Sequence, residues 1–287
     1  MKYEAIRENS NRFTVGMMCK VLDVRRSNYY RWLRNRMKRK EVADRENREI
    51  EVIEEIHRES DEIYGYRAIA REMKERSMEI SEYRVRRLMR ENGIYAKIAI
   101  RKKPYGKSST DGRYHDNKVK QKFNPDRKNR IWAGDITYIR TNVGWVYLSV
   151  VMDLYNREII GYDVSRKIDT ELAMRALGNA IGRRGRDDGL IFHSDRGSQY
   201  ASKGYHQMLE RNGIEGSMSR GGCPYDNSCV ESFFASLKKE KIYRKKYDTI
   251  EDVKKDVFWY IEIFYNRKRR HSSLGYKTPV EYRMMNA

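Results

Sequence analysis

The sequence predicts two structural classes in one chain: an all-α N-terminal region, then an α/β core with a mixed five-stranded sheet and flanking helices. Three observations predict this. Apolar residues recur at helical spacing up to Gly93. Residues 97–130 are interrupted by Pro104, Gly106, Gly112 and Pro125, which disfavour a packed element. From Ile131 onward, short strand-like runs come first and helical runs are then interleaved with them.

Element by element, Val15, Met18, Cys19 and Leu22 mark a short helix. A break at Asp23–Arg26 follows, and Ser27 is read as the N-cap of a second short helix through Tyr29, Tyr30, Trp32 and Leu33. Ile50, Ile53 and Ile56 place a helix in 41–60. The run Tyr64–Ala70 comes next, followed by a helix to Arg76. Ser81 then caps a helix through Val85, Leu88 and Met89 that stops at Gly93. Its polar face carries Arg84, Arg87 and Arg90, with Arg86 near the edge, a set able to clamp phosphates from a major groove.

Strands are expected at 131–140, 145–153 and 158–164, joined by short turns as an antiparallel meander. Thr170 is read as the cap of a helix through Ile181. A strand at 189–193, a helix at 202–212, a strand at 214–219 and a helix from about 227 to 242 complete the order β-β-β-α-β-α-β-α. Val253, Val257, Tyr260, Ile261 and Phe264 predict one further helix over 250–267, followed by the basic run Arg267–His271. The expected organisation is an N-terminal helical segment at 1–40, a helix-turn-helix domain at 41–100 and a basic linker at 101–129, ordered only on its ligand. The catalytic-sized core then occupies 130–245, and a C-terminal helix and basic tail at 246–287 complete it.

The bulk numbers narrow the function classes. The net charge is +20 over 287 residues, and residues 1–130 hold 35 Lys and Arg against 21 Asp and Glu. Charge excess biased to one half points to a polyanion, namely nucleic acid. A mean hydropathy of −0.92 and the lack of an apolar run near the ~18 residues of a bilayer span argue against a membrane protein. Three cysteines (Cys19, Cys223, Cys229) are too few for a disulfide scaffold and indicate a reducing compartment.

Three acids stand out. Asp135 lies mid-strand among apolar residues, where an uncompensated carboxylate is costly. Asp195 follows the end of a strand, a common site position in α/β sheets. Glu231, 36 positions later, lies on a helix. Three converging carboxylates repel one another unless cations hold them, and an all-oxygen set suits Mg²⁺, or Mn²⁺ as a substitute. Two such ions would support in-line phosphoryl transfer. Lys238 lies two helical turns after Glu231 and points the same way. Ser232 and Asn227 are placed to orient the acid. Asp153 and Asp163 read as turn or surface residues, Asp226 as a helix-start cap, and His193 and His271 as hydrogen-bonded structural groups.

These segments resemble the Asp-Asp-Glu catalytic core of the retroviral-integrase superfamily and, more narrowly, the OrfB transposases of bacterial insertion sequences. The resemblance spans about Phe13 to Tyr282 and is strongest in Trp132–Tyr138, His193–Tyr200, Tyr225–Glu240 and Arg270–Tyr282. It implies a ribonuclease H-like core, catalysis and metal binding by Asp135, Asp195 and Glu231, and Lys238 on substrate DNA. It also implies a helix-turn-helix module bearing Arg84, Arg86, Arg87 and Arg90. The expected activity is cleavage at element ends and joining of a 3′-hydroxyl to target DNA. Expected partners are terminal inverted repeats, target DNA, further copies on DNA, and an OrfA product or an OrfA–OrfB frameshift fusion. The expected place is the bacterial cytoplasm, at the nucleoid. Cys223-Pro224 departs from the family's pattern ahead of Tyr225-Asp226-Asn227 and leaves that loop's shape open. The rival readings are a phage or retroelement integrase, whose retroviral form would carry an N-terminal His/Cys zinc module, and a non-catalytic DNA-binding regulator with a decayed core.

Overall fold

The computed structural model describes residues 1–96, 114–121, 123–220 and 227–285, in two compact units, Met1–Ala96 and Lys97–Ala287. Residues 101–113 and 122 of the expected linker, and Cys223, Pro224, Tyr225 and Asp226, lie outside the described residues.

The first unit is helical: α1 Lys2–Glu8, α2 Val15–Val21, α3 Arg26–Glu59, α4 Tyr66–Glu75 and α5 Glu82–Glu91. Helix α3 corrects the expectation of separate helices before and after residue 40, because one 34-residue helix crosses that position. No Gly or Pro interrupts 26–59, so nothing in the backbone chemistry ends the helix there. The helix starts after Arg25, not at Ser27. Its first turns pack Tyr29 against Ile6 and Cys19, which explains α1, an element without a strong apolar pattern. Its last turns bury Ile53 and Ile56. Helix α4 buries Ile69, Ala70 and Met73, and α5 buries Val85, Leu88 and Met89, the face its spacing predicts. Ser81 accepts from the Arg84 backbone N–H, and Gly93 adopts φ +68°, as the cap and stop signals require.

The second unit is built on a sheet of order β3-β2-β1-β4-β5. Its strands are β1 Ile131–Thr141, β2 Gly144–Asp153, β3 Ile159–Ser165, β4 Ile191–Ser194 and β5 Glu215–Met218. The first three pair antiparallel, while β1, β4 and β5 run parallel. Helices α6 Thr170–Arg184 and α7 Lys203–Arg211 help close a core on Trp132, Val151, Ile160 and Phe192. Asp169, not Thr170, caps α6, its carboxylate accepting from the Leu172 N–H. Helix α8 Ser228–Glu240 packs against β1. This order is the ribonuclease H-like arrangement of the sequence reading.

Two expectations fail. The described end of the supposed linker packs on the sheet: Val119 is buried, the Lys118 N–H donates to Ser217 Oγ at 3.0 Å, and the His115 ring lies against Gly216. A basic segment is ordered here because it lies along β5, whose outer edge would otherwise be open. The helix expected over 250–267 is α9 Ile250–Phe258 followed by a π-helical segment, Trp259–Tyr265. The wider turn buries Tyr260, Ile261, Phe264 and Tyr265 together, a set too broad for one α-helical stripe. Asn266 then clips the segment to β3, giving and taking hydrogen bonds with the Ile159 backbone at 3.0 Å. The last described helix, α10 Pro279–Met285, opens on reciprocal bonds between Thr278 and Glu281.

Candidate active site

Pairing between β1 and β4 sets the site. Ile131, Trp132 and Ala133 face Ile191, Phe192 and His193. Beyond the paired residues β4 ends at Ser194, so Asp195 follows the strand end on the side toward which β1 carries Asp135, near enough for its charge to act on that carboxyl. Gly134 is required beside Asp135, because a Cβ there would stand 2.4 Å from Phe192 Cζ in the core.

The electrostatics agree with that placement. Burial, and then the Asp195 charge, hold the Asp135 carboxyl well above the usual carboxylate range; Glu231 adds to the rise. The Ile136 N–H, donating to Asp135 Oδ1 at 2.7 Å, and the Lys238 charge oppose it. Asp195 is also raised, by loss of water around its carboxyl, against a hydrogen bond from the Gly197 N–H at 2.9 Å. Glu231 stands in the first turn of α8 with its side chain exposed. Among the described residues, no three His, Cys, Asp or Glu side chains stand close enough together to hold a metal ion as placed. The aspartates form the inner pair, and Glu231 acts on them from the helix.

Asn227 does not orient Glu231 as expected; its side-chain amide donates to the Gly134 carbonyl at 3.2 Å. It staples the start of α8 to the strand carrying Asp135. No sequence signal marks this bond. Tyr200 was also missed: it lies buried near the inner pair, and its hydroxyl is pushed up by burial, by Tyr205 and by both aspartates. Lys238 shares the Glu231 side of α8 and sets its ammonium 4.4 Å from the Tyr138 ring centre.

The competing residues fall out as structural groups. His193 is buried between Ser217 Oγ at 2.9 Å and Ser219 Oγ at 3.3 Å. Asp163 pairs with Arg175 at 2.7 Å. Asp153 is no surface residue: it is fully buried and accepts the Asn129 and Tyr155 N–H groups at 3.0 Å, closing the turn after β2.

In the first unit the four arginines of α5 divide. Arg84 reaches back to the buried Glu49 of α3 at 2.7 Å, and Arg87 pairs with Glu46. Arg86 and Arg90 are exposed, Arg86 lying over the Tyr66 ring.

Comparison with known proteins agrees with the two units. The HTH-like domain family matches residues 44–104, and two integrase core domain families match 125–224 and 212–279. Among solved structures, the chain resembles one in a simian T-cell lymphotropic virus intasome, at 16% identity and TM-score 0.46, over 80% of this chain and 73% of that one. It also resembles the HTLV-2 integrase catalytic core domain in complex with magnesium, at 17% identity and TM-score 0.41, over 54% and 97%. The integrase core domain matches and the transposase relative named next define an integrase-core enzyme, a polynucleotidyl transferase of the Asp-Asp-Glu class. Transposase InsF for insertion sequence IS3A of Escherichia coli (strain K12) is 37% identical over 100% of this chain and 99% of its own length. An IS600 uncharacterized 31 kDa protein of Shigella sonnei is 35% identical over 93% and 97%. The chain belongs to the IS3 family of insertion-sequence transposases.

Proposed function

We propose that Asp135, Asp195 and Glu231 are the acids through which this transposase cleaves DNA at the ends of its element and joins the freed 3′-hydroxyl to target DNA. The parallel register that sets Asp135 beside Asp195, with Glu231 close enough to raise Asp135, carries this reading. Two carboxyls that resist ionising together are a donor set waiting for a cation, and oxygen-only donors fit Mg²⁺ or Mn²⁺. Bound there, such ions would supply the Lewis-acid charge that in-line phosphoryl transfer needs. Asp135 and Asp195 would hold them from the sheet, and Glu231, exposed and able to turn, from the helix. Lys238 would hold a substrate phosphate beside the acids. Asn227 keeps helix and strand in register, so its role is positioning.

On this reading the helical unit brings the chain to terminal inverted repeats, with Arg86 and Arg90 on DNA and Arg84 and Arg87 holding α5 in place. The basic segment at 101–129, the core at 130–245 and the tail at 246–287 keep the substrate at the acids. Copies associate on the DNA, an OrfA product or fusion completes the active form, and the work is done on chromosomal DNA in the bacterial cytoplasm.

The test is strand transfer on a supercoiled plasmid carrying the element ends, with Mg²⁺. Asp135→Ala should abolish joining and leave DNA binding intact. Joining that survives Asp135→Ala overturns the assignment. Asn227→Ala should slow joining by about 10²-fold, the scale of a misplacement near 1 Å.

A further inference from the structure

Beside α8, a quarter turn around from Glu231, the second unit holds a cleft of about 620 Å³ between that helix, the end of the π-helical segment and the basic turn 269–276. Its volume lies in the range of about 300–1,000 Å³ typical of small-ligand sites. We propose that this cleft binds a backbone phosphodiester of the DNA strand, next to the one being cut.

Charge is the first argument. Among the described residues, three arginines line the cleft (Arg157, Arg269, Arg270) and no carboxylate does. Arg269 is matched from behind by Glu240, at 2.8 Å. Arg157 donates to neutral atoms, Asn124 Oδ1 at 2.6 Å and Cys229 Sγ at 2.9 Å. The wall is therefore cationic. His271, also in the wall, responds to that field: burial, then the charges of Arg269 and Arg157, push its pKa down to about 3. Its imidazole is neutral at working pH, and its Nε2 is buried with no hydrogen-bond partner among the described residues.

Hydroxyls supply the second argument. Ser232 and Ser236 are one turn apart on the cleft side of α8, and Ser273 faces them from the short 3₁₀ turn Ser272–Leu274. Guanidinium groups with short hydroxyl donors are the usual set for a phosphodiester, which carries one charge and several acceptor oxygens. Position is the third. Residues on α8 are 100° apart, so Ser232 is the next step around the helix from Glu231. A strand whose scissile phosphate lies at Glu231 would pass a neighbouring phosphate over this cleft. The proposal rests on the catalytic assignment above for the direction of the strand, not for the cleft's chemistry.

The test uses the full-length chain and a labelled DNA duplex with a 3′ single-stranded end, titrated in Ca²⁺ over a range of salt. Arg270→Gln and Ser273→Asp should weaken binding by roughly tenfold, and Arg270→Gln should lower the slope of log K against log salt by about one. Lys254→Gln, an equal charge change on exposed α9 surface, should do neither. Equal losses in Lys254→Gln and Arg270→Gln would mean a diffuse field and overturn the site. So would unchanged binding in both cleft variants. Inorganic phosphate separates the remaining source. If it displaces DNA no better than chloride at equal ionic strength, the diester is supported; if it fills the cleft without weakening DNA binding, the proposal is overturned. Joining by the wild type, lost in Asp135→Ala, is scored in parallel, so failure of the cleft is distinct from failure of the catalytic assignment.

Discussion

At the scale of single residues, Asp135 couples stability to pH. Its folded pKa is raised, so its favourable contribution is present below the ordinary aspartate value of about 4 and is lost as pH climbs through the raised value. Wild type in chelator should therefore lose melting temperature between acid and neutral pH by more than Asp135→Asn, which cannot ionise. Mg²⁺ should return that loss to wild type and not to the variant. Equal pH profiles for the two proteins in chelator would show that Asp135 is not strained by its neighbours. The neighbouring Gly134 makes a second case. A methyl group 2.4 Å from Phe192 Cζ cannot be housed without shifting ring or strand. Gly134→Ala should cost about 1–3 kcal/mol in urea unfolding, the usual range for overpacking, and should slow joining because Asp135 moves with the strand.

At the scale of elements, the pairing of α5 with α3 decides which arginines are left for DNA. Glu49 is buried and takes Arg84 at 2.7 Å and Arg45 at 3.0 Å. Removing it leaves Arg84 partly buried without its closest partner. Glu49→Ala should destabilise the helical unit by about 3 kcal/mol, the low end for a broken buried pair because Arg84 keeps some water. Arg86→Gln and Arg90→Gln should keep the melting point and weaken DNA binding, the reverse of Arg84→Gln. If Arg84→Gln weakens binding at unchanged stability, the division of labour on α5 is wrong. In the second unit Glu158 plays the corresponding part. It is buried, accepts from Asn156 at 2.7 Å, and joins Arg184 of α6 to Arg283 of α10.

At the scale of the whole molecule, charge governs binding. A chain with net charge +20 that covers six to ten phosphates should lose about 10³–10⁵ in affinity between 50 and 200 mM salt. Measuring log K against log salt checks this; a flat dependence would remove the electrostatic account. Among the described residues no helix is long and apolar enough to cross a membrane.

Much of this was readable from the chain. Strand positions, the Ser81 cap, the Gly93 stop and the buried face of α5 are local properties, legible because periodicity and capping act over a few residues. The Asp-Asp-Glu pattern was readable by resemblance as well. What lay out of reach depends on residues far apart meeting. The continuity of α3 past residue 40 is the exception, since the absence of Gly and Pro from 26–59 is itself local. The π-helical turn at 259–265 exists because four large side chains must reach one core. The amide of Asn227 on the Gly134 carbonyl, the burial of Asp153, and the inward turn of Arg84 and Arg87 are set by partners many residues away. The sequence by itself determined which elements form and which acids are candidates. Only the tertiary structure decided that β1 and β4 pair in parallel and so bring Asp135 near Asp195, because a register is a property of the pair and of neither strand alone.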